Sequence, residues 1–214
     1  RGDTNADADL ARITGAANSM MSLLAELLDL SRIEAERLEI VAEPFDAEEA
    51  FLSAAAAAKP SAKAHNALLK VYAVTNLGQA NTDQNRLRQC LVNVLTHASR
   101  RSQNGGLSMR ADRIVRKAGD LLRFEIADSG PTLTDAQLAG LFEPFLREDD
   151  ERLSGARLGL AVTRRLAELL GGSFEVHKRT TGCAYVLTVP ARYGDQWTPQ
   201  ETETRLTQRP AFAA

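Results

Sequence analysis

Residues 86–98 read Arg-Leu-Arg-Gln-Cys-Leu-Val-Asn-Val-Leu-Thr-His-Ala, and this run decides the fold. Leu87, Cys90, Leu91, Val94 and Leu95 recur at three- and four-residue intervals, the mark of a helix with one apolar face. Asn93 and His97 stand four residues apart, so they share a face of that helix. Three shorter segments follow in order: Asp128-Ser-Gly130, Phe142-Glu-Pro-Phe145 and Gly155-Ala-Arg-Leu-Gly-Leu160. Asp128 closes an apolar run and precedes a glycine. A strand-end carboxylate in that position either accepts hydrogen bonds from a ligand amine or simply makes a turn.

The flanking sequence supplies the rest of the architecture. Residues 8–38 are predicted to form one long amphipathic helix with Leu10, Ile13, Ala17, Met20, Leu24, Leu27, Leu28 and Leu30 on its apolar side. Such a stripe needs a partner, either another helix or the chain's own domain. Glu43-Pro44-Phe45-Asp46 breaks the helix, since proline disfavours helical geometry in the residue before it. Asp46 caps a second helix over 47–59, which Pro60 ends. The alternation in 68–74 predicts a strand. Asp83 opens the central helix, which runs to about Ser102. Strands follow over 107–116 and 121–127, joined by a Lys117–Asp120 turn. Thr134 caps a short helix over 135–141, and residues 146–156 read as a polar, acid-rich loop. A helix over 158–170 stops at Gly171-Gly172. Strands over 174–178 and 184–189 make a last hairpin. The pattern is α+β: an α/β sandwich, with a mixed sheet covered on one face by helices and preceded by a helical stem. Three parts are expected: a stem over 1–42, a domain over 43–192 and a tail over 193–214.

Composition sets bounds on function. The chain has 214 residues, 44% hydrophobic and 25% charged, with a formal net charge of −2. That balance gives no bulk attraction to nucleic acid or to an anionic membrane. Cys90 and Cys183 lack metal spacing and are expected to be buried thiols in a reducing cytoplasm. No run reaches the ~18 apolar residues of a membrane span. A membrane-anchored sensor region upstream is compatible with all of this.

The order and spacing of these segments resemble the ATP-binding catalytic domain of sensor histidine kinases, of the gyrase-like type. The resemblance extends over about residues 10–190. It includes Leu27–Leu38 with Glu43-Pro-Phe, similar to the second helix of the family's dimerisation and phosphotransfer hairpin. It implies a pocket for ATP and Mg²⁺ formed by Asn93, His97, Arg101, Asp128, Gly130, Thr132, Gly155, Arg157, Gly159 and Leu160. Asp128 would receive the adenine amino group, Asn93 would serve the metal, and the backbone of 155–160 would cradle phosphate at a helix N-terminus.

The pocket also departs from the family pattern. His97 stands where the family has a second asparagine that gives Mg²⁺ an amide oxygen, and Mg²⁺ prefers oxygen ligands. Thr132 and Arg157 replace glycines. Arg157 either pairs with phosphate or fills its space. The histidines are His65, His97 and His177, and none sits in the family's phosphoacceptor context. No catalytic residue is assigned. Two functions are expected to compete. One is a degenerate kinase that signals by docking to a response-regulator receiver domain or to another histidine kinase. The other is an active kinase acting on an upstream histidine. In either case the stem would pair in a homodimer or heterodimer.

Overall fold

The computed structural model describes residues 3–72, 76–143 and 151–195. Helix α1 spans Asp3–Glu34, ahead of strand β1 (Glu43–Asp46) and helix α2 (Ala47–Ala64). Strands β2 (Leu68–Val71) and β3 (Gln79–Thr82) precede the central helix α3 (Gln84–Arg101). The hairpin β4 (Gly106–Ile114) and β5 (Leu121–Asp128) leads to the short α4 (Asp135–Ala139). Helix α5 (Glu151–Leu169) and the hairpin β6 (Ser173–Lys178) and β7 (Cys183–Pro190) complete the fold.

The main sheet has the order β2-β4-β5-β7-β6. Among the described residues only the β2–β4 pair of this sheet is parallel, so the sheet is mixed as expected. Strand alternation sends Met109, Phe124, Ile126, Tyr185 and Leu187 to the face where α2, α3 and α5 pack. Leu87, Leu91, Val94 and Leu95 of α3 are buried there, and Phe51 of α2 stacks on Phe124 with centroids 6.2 Å apart. Each such side chain contributes about 1.5–3 kcal/mol by leaving water. Helices α2 and α3 start where the sequence places them, while α1 begins at Asp3 and so takes in Asp7 and Asp9, the residues expected to cap it. Asp46 accepts from the Glu49 N–H, and Asp83 accepts from the Arg86 N–H. The other Asp83 oxygen takes the Val41 N–H at 3.0 Å, tying the connection after α1 to the start of α3.

Several boundaries differ from expectation. Helix α2 runs through Pro60 to Ala64. Pro60 and Ala56, whose carbonyl loses a donor, are both exposed, so the loss falls on the solvent side. Residues 43–46 and 79–82 form a second, two-stranded sheet that the sequence did not announce, because Gln-Ala-Asn-Thr lacks strand formers and Pro44 marks an edge. Helix α5 begins at Glu151, seven residues before the expected 158. The polar character of 151–157 suggests a loop, yet Glu, Arg, Leu and Ala are strong helix formers. Residues 144–150, which include the end of Phe142-Glu-Pro-Phe145 and the first part of the acid-rich segment, and the tail beyond 195 lie outside the described residues.

The stem meets the domain through its last turns. Leu30 is buried and Ile33 packs against the core, beside α5. Further toward the N-terminus, Leu10, Ile13, Met20, Met21, Leu24, Leu27 and Leu28 remain exposed. Among the described residues, no helix is long and apolar enough to cross a membrane.

Candidate nucleotide-binding cleft

Three elements converge on Asp128, the last residue of β5. Its side chain is fully buried. Arg101, the last residue of α3, donates from Nε to Asp128 Oδ2 at 3.1 Å. The Tyr185 hydroxyl of β7 donates to the same oxygen at 2.8 Å. The Gly130 N–H donates to Oδ1 at 2.8 Å. Arg101 Nη2 donates to the Pro131 carbonyl and lies 3.9 Å from Cys183 Sγ. The Arg101 side chain is only 5% exposed, so its charge is held in the interior by the Asp128 carboxylate. Removing either partner of such a pair costs about 3–5 kcal/mol, because the other is left buried and uncompensated.

The electrostatics follow from this packing. Burial works against the Arg101 charge, but Tyr185 and Asp128 outweigh it and lift the guanidinium above its ordinary value. Burial and then the Asp128 charge hold the Tyr185 phenol well above the usual tyrosine range. His97, one turn before Arg101, is 2% exposed. Its ring lies edge-on to Tyr185, with centroids 5.5 Å apart and planes at 76°.

Close approach explains two glycines here. A Cβ on Gly130 would sit 2.4 Å from the Arg101 carbonyl oxygen. A Cβ on Gly182 would sit 2.0 Å from the Asp128 carbonyl oxygen, and Gly182 has a φ of +73°. Both glycines are required by the chain's own packing around the Arg101–Asp128 pair.

The remaining candidates form a second group. Asn93 Nδ2 donates to the Gly159 carbonyl at 3.2 Å, and Thr163 Oγ1 donates to it at 2.7 Å. Leu160 is a core residue. Gly155, Arg157, Gly159 and Leu160 all lie within α5. This corrects the expectation that 155–160 enters a helix as a loop. From Gly155 onward each backbone N–H faces a carbonyl four residues earlier in the same helix. The surroundings of the Arg157 side chain lie outside what the structure describes. Thr132 is exposed, and its hydroxyl reaches the Arg179 and Thr180 carbonyls at 3.3 and 3.5 Å, bridging to the β6–β7 turn.

The structure thus brings His97, Arg101, Asp128 and Gly130 into one buried cluster, and Asn93 with Gly159 into a second contact along α3. Sequence reasoning missed Tyr185 and Cys183. The available signal was strand alternation, which puts Tyr185 on the same face as Leu187 and Val189.

A family model described as histidine kinase-, DNA gyrase B- and HSP90-like ATPase matches residues 82–193, from the end of β3 past β7. The chain belongs to this family. Its relatives within the family are sensor histidine kinases. A sensor-like histidine kinase of Rhizobium meliloti is 30% identical over 176 residues, covering 80% of this chain and 33% of that protein. The full-length ShkA structure in complex with AMPPNP superposes with a TM-score of 0.71 at 26% identity, covering 86% of this chain and 38% of ShkA. Histidine kinase ThkA, solved in complex with the response regulator protein TrrA, has a TM-score of 0.63 at 17% identity. That match covers 84% of this chain and 49% of the ThkA chain, and shows the shared fold. The chain spans a third or less of the length of the curated relatives it matches.

Proposed function

We propose that this domain keeps the histidine-kinase catalytic fold but has lost ATP-dependent phosphoryl transfer, and signals by docking to a response-regulator receiver domain or another histidine kinase. The observation that carries this reading is the placement of His97. The position that the resemblance gives to an Mg²⁺ ligand holds an imidazole turned into the core against Tyr185. Phosphoryl transfer depends on positioning and on charge neutralisation by the metal, so losing an oxygen ligand removes a central requirement.

One further feature agrees with it. The α5 backbone is committed to its own helix through Gly155–Leu160, so it offers no run of free N–H groups to a phosphate there. ATP and Mg²⁺ do not fit this arrangement of residues. The ThkA–TrrA complex supports a receiver domain as the partner. The exposed stripe of α1 supports pairing of the stem, in a homodimer or heterodimer. A cytoplasmic setting agrees with the two free, buried cysteines.

The alternative is an active kinase that phosphorylates an upstream histidine. It draws on ShkA, which shares the fold at 26% identity and was solved with AMPPNP. Titration calorimetry with ATP and a non-hydrolysable analogue, with and without Mg²⁺, separates the two. Absence of binding at millimolar nucleotide is expected. Micromolar, Mg²⁺-dependent binding would restore the kinase reading.

A further inference from the structure

We infer that Arg101 is the residue that sets specificity at the base end of the cleft. Its guanidinium occupies the place at Asp128 that the amino edge of a purine would take, so the chain selects against adenine. The inference deepens the proposal above and rests on its reading of the cleft as nucleotide-derived.

The argument is one of donors and acceptors. An ionised carboxylate has about four lone-pair sites. Arg101 Nε, Tyr185 Oη and Gly130 N already supply donors to Asp128 at 3.1, 2.8 and 2.8 Å. The carboxylate side chain has no exposed surface through which a ligand amine would reach it. A guanidinium and an aminopurine edge are both flat and present N–H donors in a plane, so they compete for the same acceptor. They differ in charge. A neutral purine that displaced Arg101 would strand a buried cation, and one amine hydrogen bond returns less than that costs. Arg101 is further held by the Pro131 carbonyl, beyond the carboxylate. The internal occupant therefore wins.

The same logic makes the site recoverable. Arg101→Ala removes the guanidinium and leaves Asp128 beside the space it vacates, still anchored by Tyr185 and Gly130. Because the base end alone is in question, the probes are nucleosides, without phosphate or metal. The 214-residue chain and its Arg101→Ala variant are titrated with adenosine and with inosine, which lacks the amino group. The variant is expected to bind adenosine at millimolar concentration, where the wild type shows no binding, because breaking the buried charge pair to admit the base costs the wild type more than about 100-fold in affinity. It is also expected to prefer adenosine over inosine. A purely structural role for Arg101 would give no such preference. Where Arg101→Ala requires support to fold, it is prepared with methylguanidinium, which refills the slot. Adenosine, and not inosine, is then expected to compete that cation out. A folded variant that binds neither nucleoside, or both equally, overturns the inference, as does wild-type binding of adenosine. Micromolar Mg²⁺-ATP binding by the wild type would instead overturn the proposed loss of phosphoryl transfer, so the two failures are distinguishable.

Discussion

Arg86 Nη1 lies 3.2 Å from both carboxylate oxygens of Asp29, which joins the end of the α1 stem to the first turn of α3. Gln89 Nε2 adds a 2.7 Å hydrogen bond to the same aspartate. The pair is only partly buried, with 25% and 14% of the side chains exposed, so its Coulombic value is modest. Its importance is positional, because it seats Leu30 beside α5. Asp29→Ala is expected to cost roughly 1 kcal/mol of local stability at the stem junction. Amide hydrogen exchange over residues 29–34 should accelerate about five-fold. Unchanged exchange would show that apolar packing of Leu30 and Ile33 suffices.

His97→Asn is the direct test of whether the metal position alone silences the cleft. The variant is expected to gain no Mg²⁺-dependent nucleotide binding, because Asp128 stays engaged by Arg101 and Tyr185. It also loses the edge contact on Tyr185, at a cost of about 1 kcal/mol. Calorimetry and a denaturant melt measure the two effects separately. Micromolar binding by the variant would trace the defect to His97 alone.

Much of this fold is legible in the sequence because its main signals are local. The periodicity around Leu87–Leu95, the Asp46, Asp83 and Thr134 caps, and the Gly171-Gly172 stop each depend on a few neighbouring residues. The β1–β3 sheet was not legible, since its pairing joins Phe45 to Ala80 across 35 residues with no strand-forming run on either side. The start of α5 is hidden in the sequence because its polar residues resemble those of an irregular segment. At the site, the sequence names the positions without their partners. Arg101, His97 and Asp128 stand out individually, but only the Ile126–Tyr185 register brings a tyrosine hydroxyl to the carboxylate and makes the cluster an internal network.

Tyr185 gives the network a pH signature. Its folded pKa is well above the unfolded value of about 10, so folding holds the phenolic proton more tightly. The sign follows: this contribution is complete below about pH 10 and is lost as pH rises from there toward the folded value. Tyr185→Phe is expected to lower stability at pH 7 by about 1–3 kcal/mol, through the missing bond to Asp128. The difference between wild type and variant should shrink as pH climbs past about 10, by up to ~1.4 kcal/mol per pH unit. Denaturant midpoints for both proteins between pH 7 and 11 provide the check. A constant difference across that range would mean that Tyr185 does not titrate with folding.

The α1 stripe makes the last prediction, which concerns assembly. Leu24 is 53% and Leu27 is 45% exposed, in line with Met20 and Ile13 along the same helix. Covering each large apolar side chain is worth about 1.5–3 kcal/mol. Contiguous exposed apolar surface of this kind marks a contact site. Self-association through the stem is therefore expected, and Leu24→Asp or Leu27→Asp should reduce the mass measured by light scattering to that of a single chain. A carboxylate in a dry helix interface costs far more than the leucine contributed, so one substitution suffices. Because both leucines are already exposed within one chain, far-UV circular dichroism should hardly change. An unaltered oligomer mass in both variants would place the contact elsewhere on the domain. A wild type that is already monomeric would leave the stripe for a partner kinase, and mixing with one would then have to raise the mass.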